Sequence, residues 1–531
     1  MMAMMEFNLV DEPWIPCVAI EGEKIECGIR ETLNRAHELR EVFDPSPLVT
    51  TALHRLLLAV LYRALGGIKD FKAWKEIFEK GRFDADRINR YLDKWMDRFY
   101  LFHPRYPFYQ MAGLETNKNV TVARLATELA SGNNPTLFDH TFETKRIAFS
   151  YREAARNLVA CQAFAISGGI ASSAQIGGVK NKRPNFSDST ATRGMNIWLQ
   201  GKTLFHTLVV NTSFFGDKSL PPWEMDDPHI NRDKSEPDGV VDILTWQSRL
   251  IRLIADEEKV ERMFFTQGRP SNKEDRKDPM KVYIKKTVKK KEELGPHGLT
   301  EGKAAWRDSH TIIMARNPNS DEKRPECFNL VSQAIEKQVI SENESFITHV
   351  SGLATKGKAA KIILWRHERL PLPIVLLKPD FQEVLGLMIE RAEKAAGRLR
   401  GRMRRILTAY LESENKPTNG EEQNELKKEP VNQGELEQLL RSLDPLPQYW
   451  ARLEPGFYEL LRALPQDWDY LHGGWKEEKD LRAGREWGER IKKETRRALE
   501  ESVRMLGNSA RAIRAIERVG TVFTDKDLGI E

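Results

Sequence analysis

The residues in this chain best suited to chemistry lie where free backbone meets cations. Between Ser167 and Phe186 two glycine pairs, Gly168-Gly169 and Gly177-Gly178, are followed by Lys180, Lys182 and Arg183. Glycine lets a backbone come close to another surface, and the cations beyond it suit a polyanion. The spacing is not that of a phosphate loop, because GxxxxGK with a following Ser or Thr is absent and neither pair makes a GxGxxG fingerprint after a strand. Flexible turns would account for the glycines equally well.

Three further stretches carry exposed chemistry. Gln267 to Lys291 holds ten basic side chains, among them Arg269, Lys273, Arg276, Lys277, Lys281, Lys285 and Lys286, against Glu274, Asp275 and Asp278. It reads as a basic loop, either solvated or gripping phosphates. Ser351 to Lys361, SGLATKGKAAK, reads as a small-residue loop able to protrude before the apolar run Ile362 to Trp365. Asn133 to His140, NNPTLFDH, opens with turn formers and sets Leu137 and Phe138 in a polar context. Phe138 either tucks into a core or docks on a partner. Asp139-His140 is a lone pair, and no HExxH or Walker spacing supports metal-dependent cleavage or a nucleotide-driven motor.

Composition bounds the rest. A chain of 531 residues, 40% apolar with 12 Trp, is too long for one simple core and predicts two globular domains. A net charge of +5 decides nothing about nucleic acid, so the distribution of charge must. Cys17, Cys27, Cys161 and Cys327 are scattered singly, which fits a reducing cytoplasm better than a disulfide framework. The start lacks the flank and apolar run of a signal peptide, and no stretch has the length of apolar residues a membrane span needs.

These stretches need elements to position them. Phe7 to Ile20 alternates as a strand, with a hairpin partner after Glu21-Gly22-Glu23. Ser46 to Leu65 predicts a helix with an apolar stripe of Leu53, Leu56, Leu57, Val60, Leu61 and Leu65, leaving His54 and Arg55 in solvent. Ser150 to Phe164 predicts a second helix. Thr203 to Phe215 reads as a buried strand, and Ile243 to Leu253 as strand or helix with Arg249 and Arg252 at the surface or paired locally. Pro371 and Pro373 suggest a boundary. Beyond it helical spacing runs over Phe381 to Leu411, Glu435 to Leu443, Gly456 to Leu464 and Leu481 to Arg518. The expected fold is therefore α+β: a mixed α/β domain over 1–376, then an all-α four-helix bundle over 377–531. The first of these helices carries Arg391, Lys394, Arg398, Arg400, Arg402, Arg404 and Arg405, a face fit for phosphates or for solvent.

The opening NLVDEPWIP (Asn8 to Pro16), the loop NNPTLFDH, the double-glycine loop, LTWQSRLIRL (Leu244 to Leu253) and the helical close together resemble the CasA family, the large subunit of the type I-E CRISPR surveillance complex Cascade. The resemblance covers most of the length.

It implies a DNA-reading subunit without catalytic activity of its own or a cofactor. Such a subunit checks the protospacer-adjacent motif in double-stranded DNA through the minor groove, helps open the duplex into an R-loop, and recruits a separate helicase-nuclease. By position, Gly168, Gly169, Gly177, Gly178 and Lys180 fall on the groove-entering loop. Lys356, Gly357, Lys358, Ala359 and Ala360 fall on the wedge that splits the first base pairs, although the Asn-Gln tip of some relatives is missing. Asn134, Leu137 and Phe138 fall on the loop that docks on the CRISPR RNA 5′ handle and the other subunits. Lys273, Arg276, Lys277, Lys281, Lys285 and Lys286 are the expected phosphate contacts. Some relatives carry paired cysteines suited to zinc, which this chain lacks, so no metal is expected. A self-sufficient nuclease and a purely structural scaffold are the competing classes.

Overall fold

The computed structural model describes residues 6–126, 147–181, 184–214, 219–226, 236–271, 278–288, 290–316, 320–356, 361–412, 431–467 and 481–528. Helices and antiparallel strands alternate along it, an α+β chain. It divides into two compact units, Met1–Ala305 with Thr311–Ile374, and Trp306–His310 with Val375–Glu531.

The first unit is built around the helix Pro47–Ala64. Ser46 caps it by accepting from the Val49 amide at 3.2 Å, and Pro47 occupies the first turn, where its missing N–H costs nothing. Every residue of this helix except Arg63 is buried. The expectation of a solvated His54 and Arg55 is therefore overturned: they are 3% and 1% exposed. The cause is packing on all sides, by the helices Tyr151–Phe164 and Val240–Leu244 and the strands Leu39–Val42 and Ser345–Lys356. A guanidinium can be buried only with partners. Arg55 Nη1 lies 2.9 Å from Asp278 Oδ2, and Nη2 donates to the Ile243 carbonyl at 3.1 Å. Breaking such a pair from one side costs about 3–5 kcal/mol.

Short sheets surround this helix. Ile15–Ala19 pairs antiparallel with Lys24–Cys27, as the turn signal predicts, and also with Leu39–Val42. Tyr151–Phe164 is helical with a full capping box between Ser150 and Glu153. Thr203 to Phe215 is not a strand: Leu204–Val210 is a helix capped by the Thr203 hydroxyl, because a short apolar run fits either structure and the cap decides. Ile243 to Leu253 contains the end of one helix, Val240–Leu244, and the start of a strand, Arg249–Asp256, paired with Lys259–Gln267. Arg249 is buried rather than at the surface, its guanidinium held by the carbonyls of Ser248, Ile166 and Ser187 and by Gln267. The basic stretch is no simple loop either; its second half enters a hairpin of Tyr283–Val288 and Lys291–Pro296.

Among its described residues the second unit holds helices and no strand. Pro379–Leu411 runs for 33 residues, and Gln433–Ser442, Leu446–Ala463, Arg482–Arg504, Ala510–Val519 and Asp525–Leu528 all pack on it. The helix expected to run unbroken from Leu481 to Arg518 is interrupted after Arg504, where Gly507 takes a φ of 75°. Trp306 is fully buried against Trp450, Phe457 and Trp487, and the Trp487 indole donates to the Met388 carbonyl at 2.9 Å.

The longest strands among the described residues, Ser345–Lys356 and Lys361–Pro373, form a hairpin whose root joins Asn196–Gln200. That root is a stack of rings. Trp198 lies between His54, at 4.2 Å between centroids, and His349, at 3.7 Å. His54 Nδ1 donates to the Thr50 carbonyl; His349 Nε2 donates to Gln200 Oε1 at 2.7 Å, so its Nδ1 accepts from His367 Nε2 at 2.8 Å. His349, which accepts at Nδ1, is therefore needed neutral, and burial opposes charge on the other two rings. Burial lowers the His54 pKa to about 4 and drives His349 and His367 down too, with the neighbouring Arg369 adding repulsion for the last two. Their unfolded value is near 6.5. Below it the unfolded chain binds protons that the folded stack refuses, so stability is full above pH 6.5 and is lost as pH falls toward 4. Denaturant unfolding of the chain should show lower stability at pH 5 than at pH 7.5, with a shallower pH dependence in His54→Gln; equal stability at the two pH values would contradict the neutral stack.

Candidate nucleic-acid interface

The second glycine pair forms a turn of defined type. Ala174–Ile176 and Val179–Asn181 pair antiparallel with Ile176 opposite Val179, which leaves Gly177 and Gly178 as a two-residue loop. Their φ values are 55° and 84°, the positive pair that a type I′ turn requires and that matches strand twist. Leu114–Thr116 completes the sheet, and the apolar cluster of Met111, Leu114, Ala174 and Leu250 fixes it to the unit, with Ile176 packed against it. A Cβ added at Gly177 or Gly178 would meet nothing within 4 Å. These glycines therefore serve turn geometry and leave bare backbone facing open space.

The first pair behaves similarly. Gly168 and Gly169 have φ of 112° and 84°, and a Cβ at Gly169 also meets nothing. Gly168 donates its N–H to the Phe186 carbonyl at 3.3 Å and Gly169 accepts from Phe186 at 3.4 Å. Beside each pair stands an exposed apolar side chain that composition alone did not single out: Ile170 is 87% exposed and Val179 65%. Their position immediately after a glycine pair was the available signal. Lys180 is exposed on the same hairpin, in register with Gln175.

The wedge segment is re-drawn. Ser351 to Lys361 is not a loop: the strands continue to Lys356 opposite Lys361, so only a four-residue tip remains between them. That tip, Gly357, Lys358, Ala359 and Ala360, lies outside the described residues. So do Asn134, Leu137 and Phe138, and so do Lys273, Arg276 and Lys277.

The remaining basic candidates separate by burial. Lys281 is 4% exposed and its ammonium donates to the carbonyls of Thr190 and Arg193, so it serves the fold and is withdrawn as a phosphate contact. Arg269 is likewise buried, paired to Asp242 at 2.6 Å with its guanidinium 3.7 Å over Trp246. Lys286 is half-buried, donates to the Pro296 carbonyl at 2.8 Å, and has its pKa lowered by that burial. Lys285 is exposed, as are Lys290 and Lys291 at the turn of the same hairpin. On the long helix, Arg402 donates to the Gly520 and Val522 carbonyls, Lys394 pairs with Glu390 and Arg404 with Glu437; Arg391 is half-buried, and Arg398, Arg400 and Arg405 are exposed. Among the described residues no group of three or more His, Cys, Asp or Glu could hold a metal ion, and no helix is long and apolar enough to cross a membrane.

Comparison with known proteins converges. The family model of the CRISPR-associated protein Cse1 matches residues 8–498. CasA/Cse1 of Thermus thermophilus is 31% identical over 523 residues, covering 97% of this chain and 96% of that one. The solved structure of Thermus thermophilus CasA (Cse1) matches with a TM-score of 0.76 at 27% identity over 99% of both chains. Thermobifida fusca Cse1 matches with 0.76 at 23% identity, over 99% of this chain and 98% of that one. A chain of a CRISPR RNA-guided surveillance complex matches with 0.74 at 20% identity, over 97% and 98%. Fold and matches define a CRISPR-associated protein. Within that class, the chain belongs to the Cse1/CasA family.

The division of the basic stretch is checked by two substitutions. Lys281→Ala strands a buried and a half-buried carbonyl and should cost about 1–3 kcal/mol in denaturant unfolding, whereas Lys285→Ala should stay within about 0.5 kcal/mol. Equal effects would mean that Lys281 is not structural.

Proposed function

We propose that this chain is the large, non-catalytic subunit of a type I-E Cascade complex in the cytoplasm, reading a short motif in double-stranded DNA and starting the opening of the duplex. The observation that carries the reading is the Gly177-Gly178 turn: a rigidly anchored hairpin whose tip offers peptide groups with no side chain in front of them. The minor groove is narrow and presents a degenerate acceptor pattern, so bare backbone reads its shape and an edge or two, which suits a short, tolerant motif. Gly168 and Gly169 contribute a second such surface. Membership of the Cse1/CasA family and the likeness to a chain of an RNA-guided surveillance complex support the assignment to Cascade.

Opening then needs little energy. Exchange of a DNA duplex for a guide–target heteroduplex is nearly balanced, with stacking near 1.4 kcal/mol per step on average, so a subunit that separates the first pairs need supply only a few kcal/mol. The long hairpin Ser345–Lys356 and Lys361–Pro373 is the element suited to deliver it, with Lys356, Gly357, Lys358, Ala359 and Ala360 at its end as the wedge. Lys180 and Lys285, with Lys273, Arg276 and Lys277, grip phosphates of the motif and of the displaced strand. Asn134, Leu137 and Phe138 dock on the CRISPR RNA 5′ handle and neighbouring subunits. We take the domains to meet at 376/377 and the second to be a four-helix bundle, and the chain to recruit a separate helicase-nuclease.

The test keeps the turn and changes its surface. Asn-Gly is a favoured type I′ pair, so Gly177→Asn preserves the hairpin and adds one side chain to its tip. In the assembled complex it should leave the melting temperature and assembly unchanged while reducing the preference for targets with the correct motif by roughly tenfold, the worth of one lost edge contact. Undiminished motif preference would refute the reading, and target binding by a complex lacking the chain altogether would favour a scaffold.

A further inference from the structure

One strand of the glycine hairpin borders a cavity of 280 Å³. Its wall includes Ile176, the residue preceding the Gly177-Gly178 turn, so the cavity and the turn share a strand. The lining is aromatic and cationic. Phe108, Tyr109 and Trp223 stack within 27° of one another, Phe108 and Tyr109 at 4.4 Å and each of them at 6.2 Å from Trp223. At one side the Arg98 guanidinium sits 3.6 Å from the Tyr106 ring centroid and that of Arg105 5.0 Å from it. Arg98 is held by the Met225 carbonyl at 3.1 Å and by Asp226 at 3.5 Å, whereas Arg105 is exposed.

One polar group in this wall lacks a counterpart. Gln247 is 3% exposed, and its Oε1 has no hydrogen-bond partner among the described residues. A buried acceptor without a donor is a standing cost that a ligand N–H removes once the amide turns into the cavity. Flat aromatic and guanidinium surfaces, an exposed cation and an amide that accepts from an amine are the chemistry by which proteins hold an unstacked nucleobase.

We propose that this cavity receives a single unpaired nucleobase of the target DNA beside the motif, stacked against Arg105 and Tyr106, its exocyclic amine donating to Gln247 and its phosphate near Arg105. The proposal rests on the reading that the glycine hairpin meets DNA, since only then does a separated base lie within reach. It gives the chain a trap for a base once the pair is broken, so re-annealing is opposed. Adenine, cytosine and guanine carry the amine; thymine does not, and is held less well.

The experiment uses the assembled complex and target duplexes carrying an abasic site at one position at a time, in either strand, over the pairs next to the motif. With the unsubstituted protein, one position should weaken binding by about tenfold, the loss of one stacked base. In Tyr106→Leu that position should no longer matter. At the same position thymine should bind less well than cytosine, and Gln247→Leu should erase this difference. A flat scan, or a position effect of equal size in Tyr106→Leu, overturns the proposal. Motif preference is measured in parallel with Gly177→Asn: failure there strikes the motif reading, whereas a flat abasic scan with a motif effect intact at Gly177 strikes the cavity alone.

Discussion

Polar groups buried in the middle of the helix Pro47–Ala64 hold the first unit to one arrangement. Arg55 is inaccessible to water, and it is tolerable there only while Asp278 and the Ile243 carbonyl face it. One turn earlier, Thr51 meets the Ser351 hydroxyl at 2.7 Å, and His54 supports the Trp198 ring on which His349 lies. A single helix thus grips the segment leading into the basic hairpin and the root of the long hairpin. Unsatisfied, these groups would cost several kcal/mol, so packings that strand them are disfavoured.

This root explains the contrast between the ends of the two candidate DNA-facing hairpins and their bases. The glycine hairpin is anchored by Met111, Leu114, Ala174 and Leu250 and ends in bare peptide. The long hairpin is anchored by rings and ends in a four-residue tip after the pair Lys356 and Lys361. An element that pushes against a duplex must not yield at its base, and neither base offers loosely packed side chains. Between them in sequence lie Lys281, expected to bind phosphate, whose ammonium instead fastens two backbone carbonyls, and Arg269 of the same basic stretch, which pairs with Asp242.

What could be read from residues alone follows from the range of each interaction. The helices Pro47–Ala64, Tyr151–Phe164 and Pro379–Leu411 were legible because their periodicity is local, as are the side-chain caps of the first two. The Gly177-Gly178 turn was locatable because glycine type and backbone sign go together, although its I′ geometry needed the pairing of Ile176 with Val179. His54 and Arg55 were misread because what makes their burial possible lies far along the chain; Asp278 is 223 positions from Arg55. Leu204–Val210 was misread as strand because a short apolar run satisfies either period. Gln247, whose unpartnered oxygen marks the cavity, carries no pattern at all in sequence, since being without a partner is a property of the fold.

The central claim is that a rigidly rooted long hairpin delivers its tip to the first base pairs beside the motif. It is tested most directly by replacing residues 356–361 with Asn-Gly, so that Thr355 and Ile362, already paired, close the hairpin one pair earlier. R-loop formation by the assembled complex is then timed on a fully paired target and on one with unpaired bases next to the motif. The account predicts slower formation on the paired target and recovery to the rate of the unsubstituted complex on the pre-opened one; equal slowing on both, or none on either, would contradict it.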